Sequence, residues 1–264
     1  MRALVNQLLK SSKSSILVYN SERIIPGEIP ENILRMHLAR YSFAQGYATN
    51  SLVLDVASGA GYGSKLLSGN AKDVVGGDLS FDAVRYGQEN WKTANLSYMA
   101  LDGHRLPFRE KTFDLVVSFE TIEHLSEFAD FISECKRVLK IKGLFVCSTC
   151  NRNILTVKWR KPLNPFHVNE FSQIEFMNLL KKYFDKVELH GQLFLGFARR
   201  FAYMLYYTLG FIVVRLKILP FLQPLLTLLT RHPIKSFSSN MAPRKISSRI
   251  KSVPGYIIAV CTKG

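Results

Sequence analysis

No aspartate or glutamate occurs anywhere between Gln192 and Val253, a stretch that carries ten lysines and arginines. That absence excludes an ordinary surface segment, where both signs of charge intersperse and pair. Cysteine is scarce, with four in 264 residues, and scattered at 135, 147, 150 and 261. A disulfide-stapled secreted scaffold is thereby excluded. Cys147-Ser-Thr-Cys150 has no second pair to complete a zinc or redox motif, so buried, reduced thiols of a cytoplasmic protein are expected. Long apolar runs are missing as well. Nothing reaches about 20 uninterrupted apolar residues, the length a bilayer-spanning helix needs, and residues 1–19 lack a signal-peptide core.

The composition that remains is globular, with 47% hydrophobic and 12% aromatic residues. A chain of this length buries a full core as one large domain, or as one domain with an elaboration. The net charge of +15 is unevenly placed. Residues 51–150 hold 11 basic and 13 acidic residues, whereas residues 151–264 hold 18 and 4.

The near-neutral middle is organised around Leu52-Val-Leu-Asp55-Val-Ala57-Ser58-Gly59-Ala-Gly61-Tyr-Gly63. Leu52 to Val56 reads as a buried strand that stops at small residues. Gly59, Gly61 and Gly63 then form a turn whose backbone can approach a ligand closely. The helix that starts at Tyr62 aims its first N–H groups into the same crevice. Asp55 closes the first strand, Asp78 follows the second, Val74 to Gly77, and Asp102 follows a third, Leu96 to Leu101. Three acidic residues on one rim make an adenosine-shaped site, the second placed where a ribose hydroxyl pair is usually held.

With Leu106-Pro-Phe108, Phe113-Asp-Leu-Val-Val-Ser118 and Arg137-Val-Leu-Lys-Ile-Lys-Gly143, these motifs resemble the class I S-adenosylmethionine-dependent methyltransferases over about residues 50 to 150. A nicotinamide Rossmann enzyme would instead show G-x-G-x-x-G. The resemblance implies S-adenosylmethionine as cofactor. The turn of Gly59, Gly61 and Gly63 would then hold its methionine part, Asp78 would bind the ribose hydroxyls and Asp102 would lie by the adenine, with Asp55, Ala57, Ser58, Leu79, Gly103 and Phe119 as further cofactor-binding candidates. Ala57 departs from the glycine that many members carry.

Strand and helix alternate at 52–56, 62–69, 73–77, 80–92, 96–101, 113–118, 126–140 and 143–149. The alternation predicts an α/β fold, a Rossmann-like, doubly wound, mostly parallel sheet with helices on both faces. The resemblance implies seven strands, the last antiparallel, with 184–191 paired to 255–262. Ser80 is expected to cap a helix, and Gly143 to end one. Three regions follow: a helical lid over 1–50, the cofactor domain over 51–191 and 254–264, and a basic, apolar helical insertion over 192–253.

The insertion is too long for a structureless loop. Its apolar segments, 201–214 and 218–229, are flanked by Arg199, Arg200, Arg215, Lys217 and Arg231. Helices of this kind suit peripheral contact with an anionic membrane, here the inner face of the cytoplasmic membrane. A helical lid over the acceptor pocket fits the same pattern. Nucleic acid is disfavoured because the cations alternate with aliphatic runs.

Methyl transfer requires an aligned nucleophile and a base for its proton. Candidates follow the fourth strand in Ser118-Phe-Glu120-Thr-Ile-Glu123-His124. A helical turn would put Glu120, Glu123 and His124 on one face. His124 suits a base, and His167, in Asn164 to Phe171, suits an acceptor contact. Together Glu120, Glu123, His124 and His167 form a candidate site for a divalent ion, Mg²⁺ or a transition metal, resembling that of small-RNA 2′-O-methyltransferases. Asn164 to Phe171 resembles a segment of a polysaccharide-associated subgroup of the family, which implies a sugar hydroxyl of a membrane-associated glycan or lipid-linked precursor as acceptor. A prenylated quinone or other lipid is the alternative acceptor, and a non-catalytic cofactor-binding scaffold is the alternative class.

Overall fold

The computed structural model describes residues 23–155, 162, 164, 166–195, 241–246 and 253–264. The expected insertion helices at 201–214 and 218–229 lie outside the described residues. Helix α1, Glu31–Gln45, precedes strand β1, Leu52–Val56, and helix α2, Tyr62–Leu67. Strand β2, Asp73–Asp78, leads to α3, Phe81–Asn90, and β3, Leu96–Ala100. Strand β4, Phe113–Phe119, is followed by a 3₁₀ turn, Ile122–His124, then α4, Phe128–Val138, and β5, Leu139–Cys150. A one-turn helix α5, Arg152–Leu155, and α6, Gln173–Leu180, precede β6, Lys186–Leu195, β7, Arg244–Lys245, and β8, Val253–Thr262.

These strands form one sheet in the order β3-β2-β1-β4-β5-β8-β6-β7. The first five are parallel, and β8 runs antiparallel between β5 and β6. The expected hairpin partners do pair, with Gly191 opposite Ile257 and Lys186 opposite Thr262. The sheet has eight strands where seven were expected. Arg244 and Lys245, inside the basic insertion, add a short edge against Gly191 and His190. Strand β6 also runs on to Leu195, past the expected boundary at 191.

Alternation along each strand explains the double winding. Val53, Leu115, Val117 and Val146 face one apolar cluster with Leu34, Leu38 and Leu67 of α1 and α2. Leu54, Val116, Phe145 and Cys147 face the other, with Phe131 and Ile132 of α4 and Phe176 of α6. Successive strand residues point to opposite faces, so an unbroken apolar run serves two cores. Leu34 and Leu38 are fully buried, which stabilises the docked α1 by about 1.5–3 kcal/mol each.

Ser80 caps α3 as expected, its Oγ accepting the Ala83 N–H at 3.3 Å. Gly143 is not a helix terminator. Helix α4 ends at Val138, and Gly143 lies inside β5, where a Cβ would come within 2.8 Å of the Lys140 carbonyl oxygen. The small residue serves strand packing at a shift in the β4–β5 register. All four cysteines are free and buried. Cys147 and Cys150 are an odd number of residues apart on β5, so the strand points them to opposite faces and they form no redox pair.

Candidate active site

The rim where β1, β2 and β3 end gathers the three expected aspartates in different states. Asp55 is fully buried. Its Oδ2 accepts from Ser64 Oγ at 2.6 Å, and its Oδ1 accepts from Tyr41 Oη at 3.3 Å. Burial pushes this carboxyl up to about 7, although both hydroxyl donors favour its charged form. Such a carboxylate is poised for a cationic neighbour.

The turn between β1 and α2 is left-handed at three positions. Ala57, Gly59 and Gly61 have φ values of 59°, 56° and 77°. The departure at Ala57 thus sits where glycine is the easier residue, at a cost of about 1–2 kcal/mol. At Gly61 the Tyr98 ring leaves no room for a Cβ, and Tyr98 Oη donates to the Gly61 carbonyl at 2.7 Å. Gly63 opens α2 beneath the ring of Tyr41, so the lid helix and the turn meet over a missing side chain. Ser58 is buried, and its N–H donates to the Gly77 carbonyl.

Asp78 holds the other side of the turn. Its Oδ2 accepts from the Gly59 N–H at 2.8 Å, and its Oδ1 accepts from the Ser80 N–H at 2.9 Å. The Arg23 guanidinium lies 3.8 Å from Oδ1. Asp102 is exposed and accepts from the His104 N–H, and its Oδ1 lies 2.8 Å from His104 Nδ1. These hydrogen bonds hold its carboxyl below the usual range. Gly103 passes under Phe131, where a Cβ would meet the ring at 2.8 Å. Between these acids, Leu79 and Phe81 are 77% and 68% exposed. Large apolar side chains left bare beside hydrogen-bonding carboxylates suit a flat ligand with polar edges.

Beyond β4, one expected grouping fails. Glu120, Glu123 and His124 do not share a helical face, because the 3₁₀ turn starts only at Ile122 and Glu120 precedes it with φ +52°. Glu120 instead accepts from Ser148 Oγ at 2.6 Å. Glu123 turns inward and is 1% exposed. Burial, then the nearby Glu120 charge, push its carboxyl well above the usual range. His124 is half-buried, and its Nδ1 donates to the Phe166 carbonyl at 3.0 Å. In the neutral ring that bond places the proton on Nδ1, the tautomer in which Nε2 is the basic nitrogen. The His124 and His167 rings are perpendicular, 5.0 Å apart. Phe119 ends β4 and meets the Tyr41 ring edge-on at 4.9 Å.

The proposed metal foursome does not come together either. Among the described residues, the ligand atoms that cluster are those of Glu123, Cys150 and His167, without Glu120 or His124. Sequence reasoning set Cys150 aside because Cys147-Ser-Thr-Cys150 has no second pair to complete a site. It also passed over Tyr41, Ser64, Ser148 and Glu170 as site residues. Ser64 had a cue in its place next to Gly63, Tyr41 in the lid helix and Glu170 in the segment from Asn164 to Phe171.

Residues 54–147 match the family model described as "Methyltransferase domain". Over that stretch the chain is similar to methyltransferase domains. Its relatives include proteins named as S-adenosylmethionine-dependent methyltransferases. A probable S-adenosylmethionine-dependent methyltransferase of Mycolicibacterium smegmatis is 35% identical over 168 residues, 63% of this chain and 65% of that protein. The chain therefore spans less than two thirds of that relative's length. A ubiquinone biosynthesis O-methyltransferase of Cereibacter sphaeroides is 27% identical over 156 residues, 54% of this chain and 63% of that protein. The methyltransferase fold is also seen in a crystal structure of an SAM-dependent methyltransferase from Thermotoga maritima. That structure has a TM-score of 0.58 at 15% identity, covering 88% of this chain and 95% of that one.

Proposed function

We propose that this chain transfers a methyl group from S-adenosylmethionine to a hydroxyl oxygen. The observation that carries the cofactor half is the pair of carboxylates around the glycine turn. Asp55 is buried with no basic partner within ion-pair distance among the described residues, and Asp78 accepts from the turn itself. A sulfonium cofactor with an amino group supplies the positive charge that a buried carboxylate lacks. The bare Leu79 and Phe81 side chains offer apolar contact for its adenine. When bound, the cofactor provides an electrophilic methyl group.

The chain's own residues then have two tasks. Tyr41, Phe119 and the Gly63 contact close α1 over the turn, which excludes water from the reacting centre. His124, held by the Phe166 carbonyl, receives the acceptor's hydroxyl proton on Nε2. Glu123 lies buried behind it, and its backbone carbonyl accepts from the Val168 and Asn169 N–H groups, which holds the turn that positions the ring.

For the acceptor, our reading is a sugar hydroxyl in a membrane-associated glycan or lipid-linked precursor. It rests on the acid-free, cation-flanked apolar segments of 192–253, which suit a lipid-borne substrate at an anionic membrane. A prenylated quinone is the second reading, and similarity to a ubiquinone biosynthesis O-methyltransferase favours it. Among the described residues no helix is long and apolar enough to cross a membrane. Incubation with radiolabelled S-adenosylmethionine, followed by separate extraction of glycans and neutral lipids, tests both. Label in the glycan fraction supports the first reading, and label in the quinone fraction supports the second. Label in neither, with tight cofactor binding, would support the scaffold role.

A further inference from the structure

Behind the 3₁₀ turn, four chemistry-bearing side chains from three segments converge without a role in methyl transfer. Glu123 comes from the turn, Cys150 ends β5, and His167 and Glu170 come from the segment before α6. Cys150 Sγ lies 3.5 Å from His167 Nδ1, and the same nitrogen is 3.1 Å from Glu170 Oε1. One ligand atom each from Glu123, Cys150 and His167 fall within 4.8 Å of one another. Metal–ligand bonds of about 2.0–2.3 Å set tetrahedral edges of about 3.3–3.8 Å. Contraction by about 1 Å therefore converts this cluster into a coordination shell.

Two buried oxygens face the cluster with their hydrogen-bonding capacity unused. Glu123 Oε2 and Glu170 Oε2 are both buried without any hydrogen-bond partner. Buried carboxylate oxygens are rarely left so, because desolvation must be offset by a proton donor or a metal. On the far side of the imidazole, Asn164 Nδ2 lies 2.9 Å from Nε2. The Phe166 N–H donates to Asn164 Oδ1, so the amide donates to Nε2, and ligation through Nδ1 requires the ring proton to move to Nε2 and the amide to turn.

We propose that Glu123, Cys150 and His167, with Glu170 closing the fourth corner, bind a thiophilic divalent transition-metal ion of the zinc class. A thiolate and an imidazole in one site select zinc-like ions over magnesium. A divalent ion offsets two of the three anionic ligand charges, and its binding releases the thiol proton into solvent. The site is distinct from the set expected from sequence, since Glu120 and His124 are turned to Ser148 and Phe166. The ion ties the 3₁₀ turn to the end of β5 and to the 164–170 segment. Its role is to hold the turn that carries His124, not to touch the acceptor.

The test reads metal, not activity, so its outcome is separate from that of the methyltransferase reading. The full chain, stripped of metal, is titrated with Co²⁺ and followed by absorption. Expected is about one equivalent of tight binding, with tetrahedral visible bands and a thiolate-to-cobalt charge-transfer band. Cys150→Ser should lose the charge-transfer band, and His167→Gln should lose stoichiometric binding. S-adenosylmethionine binding and circular dichroism report whether each variant is folded. Should either variant fail to fold, Glu170→Gln, which removes the charge of the fourth ligand, is expected to lower Co²⁺ affinity and shift the tetrahedral bands. A wild-type chain that gives no tetrahedral cobalt spectrum overturns the proposal. So does a charge-transfer band that survives in Cys150→Ser, or an affinity and spectrum unchanged in Glu170→Gln.

Discussion

The Tyr41 hydroxyl donates to Oδ1 of the buried Asp55 across 3.3 Å, so helix α1 reaches over the glycine turn to the carboxylate that ends β1. Burial also pushes Tyr41 well above its usual range, so it remains a donor. This contact couples the lid to the protonation state of the site.

Asp55 is expected to make cofactor binding depend on pH. Its folded value of about 7 lies above the unfolded one, so its contribution to ligand-free stability is full in acid. That contribution is lost as pH rises from about 4 through about 7. A cationic ligand reverses the preference by lowering the pKa, so binding releases a proton. S-adenosylmethionine affinity should therefore rise from roughly pH 6 to 8. Calorimetry in buffers of different ionisation enthalpy measures the released proton, and Asp55→Asn should abolish it. A flat profile with no proton release removes Asp55 from the cofactor site.

Asp78→Ala should weaken S-adenosylmethionine by about 1–3 kcal/mol, the scale of charge-assisted hydrogen bonds. The Gly59 and Ser80 N–H groups lose their acceptor too, so the midpoint of thermal unfolding should also fall. Affinity equal to wild type, measured on folded protein, contradicts the ribose assignment.

Gly63→Ala places a methyl group where the Tyr41 ring sits. Overpacking of this kind costs about 1–3 kcal/mol. Proteolysis should show α1 released from the domain, and cofactor affinity should fall with it. Tyr41→Ala in the same background should recover part of the stability.

His124→Gln should lower kcat by about 10²–10⁴-fold if its Nε2 is the base. Cofactor affinity should be unchanged, since the ring is held by Phe166 and lies beyond β4. A variant with near-normal turnover would reduce His124 to a structural contact.

The acid-free stretch from 192 to 253 should sediment with anionic vesicles and not with zwitterionic ones. Each cation near the surface contributes about 1 kcal/mol, and salt should weaken the effect. Deleting 196–240 should abolish sedimentation while sparing cofactor binding. Equal partition to both vesicle types would leave these residues as a lid over the acceptor pocket.

The alternation of β-rich runs and amphipathic stretches made the sheet readable before any coordinates, because each burial face imposes a period. The aspartates at the ends of the first three strands were readable for the same reason: strand ends mark the ligand-binding rim. The β7 edge was not readable, since two basic residues carry no strand period. Nor was the split of Glu120 from Glu123, because a backbone turn with positive φ at a glutamate has no sequence signal.

Sequence alone determined the strand, glycine turn and helix start that form the proposed cofactor rim, for local reasons: all three lie within twelve residues from Leu52 to Gly63. Tertiary structure decided what surrounds that rim. Tyr41 reaches Asp55 only because α1 packs on α2, and Gln192 accepts from the buried Arg40 at 2.9 Å across 152 residues of chain. Cys150 meets His167 only because β5 ends where the 164–170 segment crosses the 3₁₀ turn. Contacts between distant segments depend on how whole elements pack, and no local pattern encodes them.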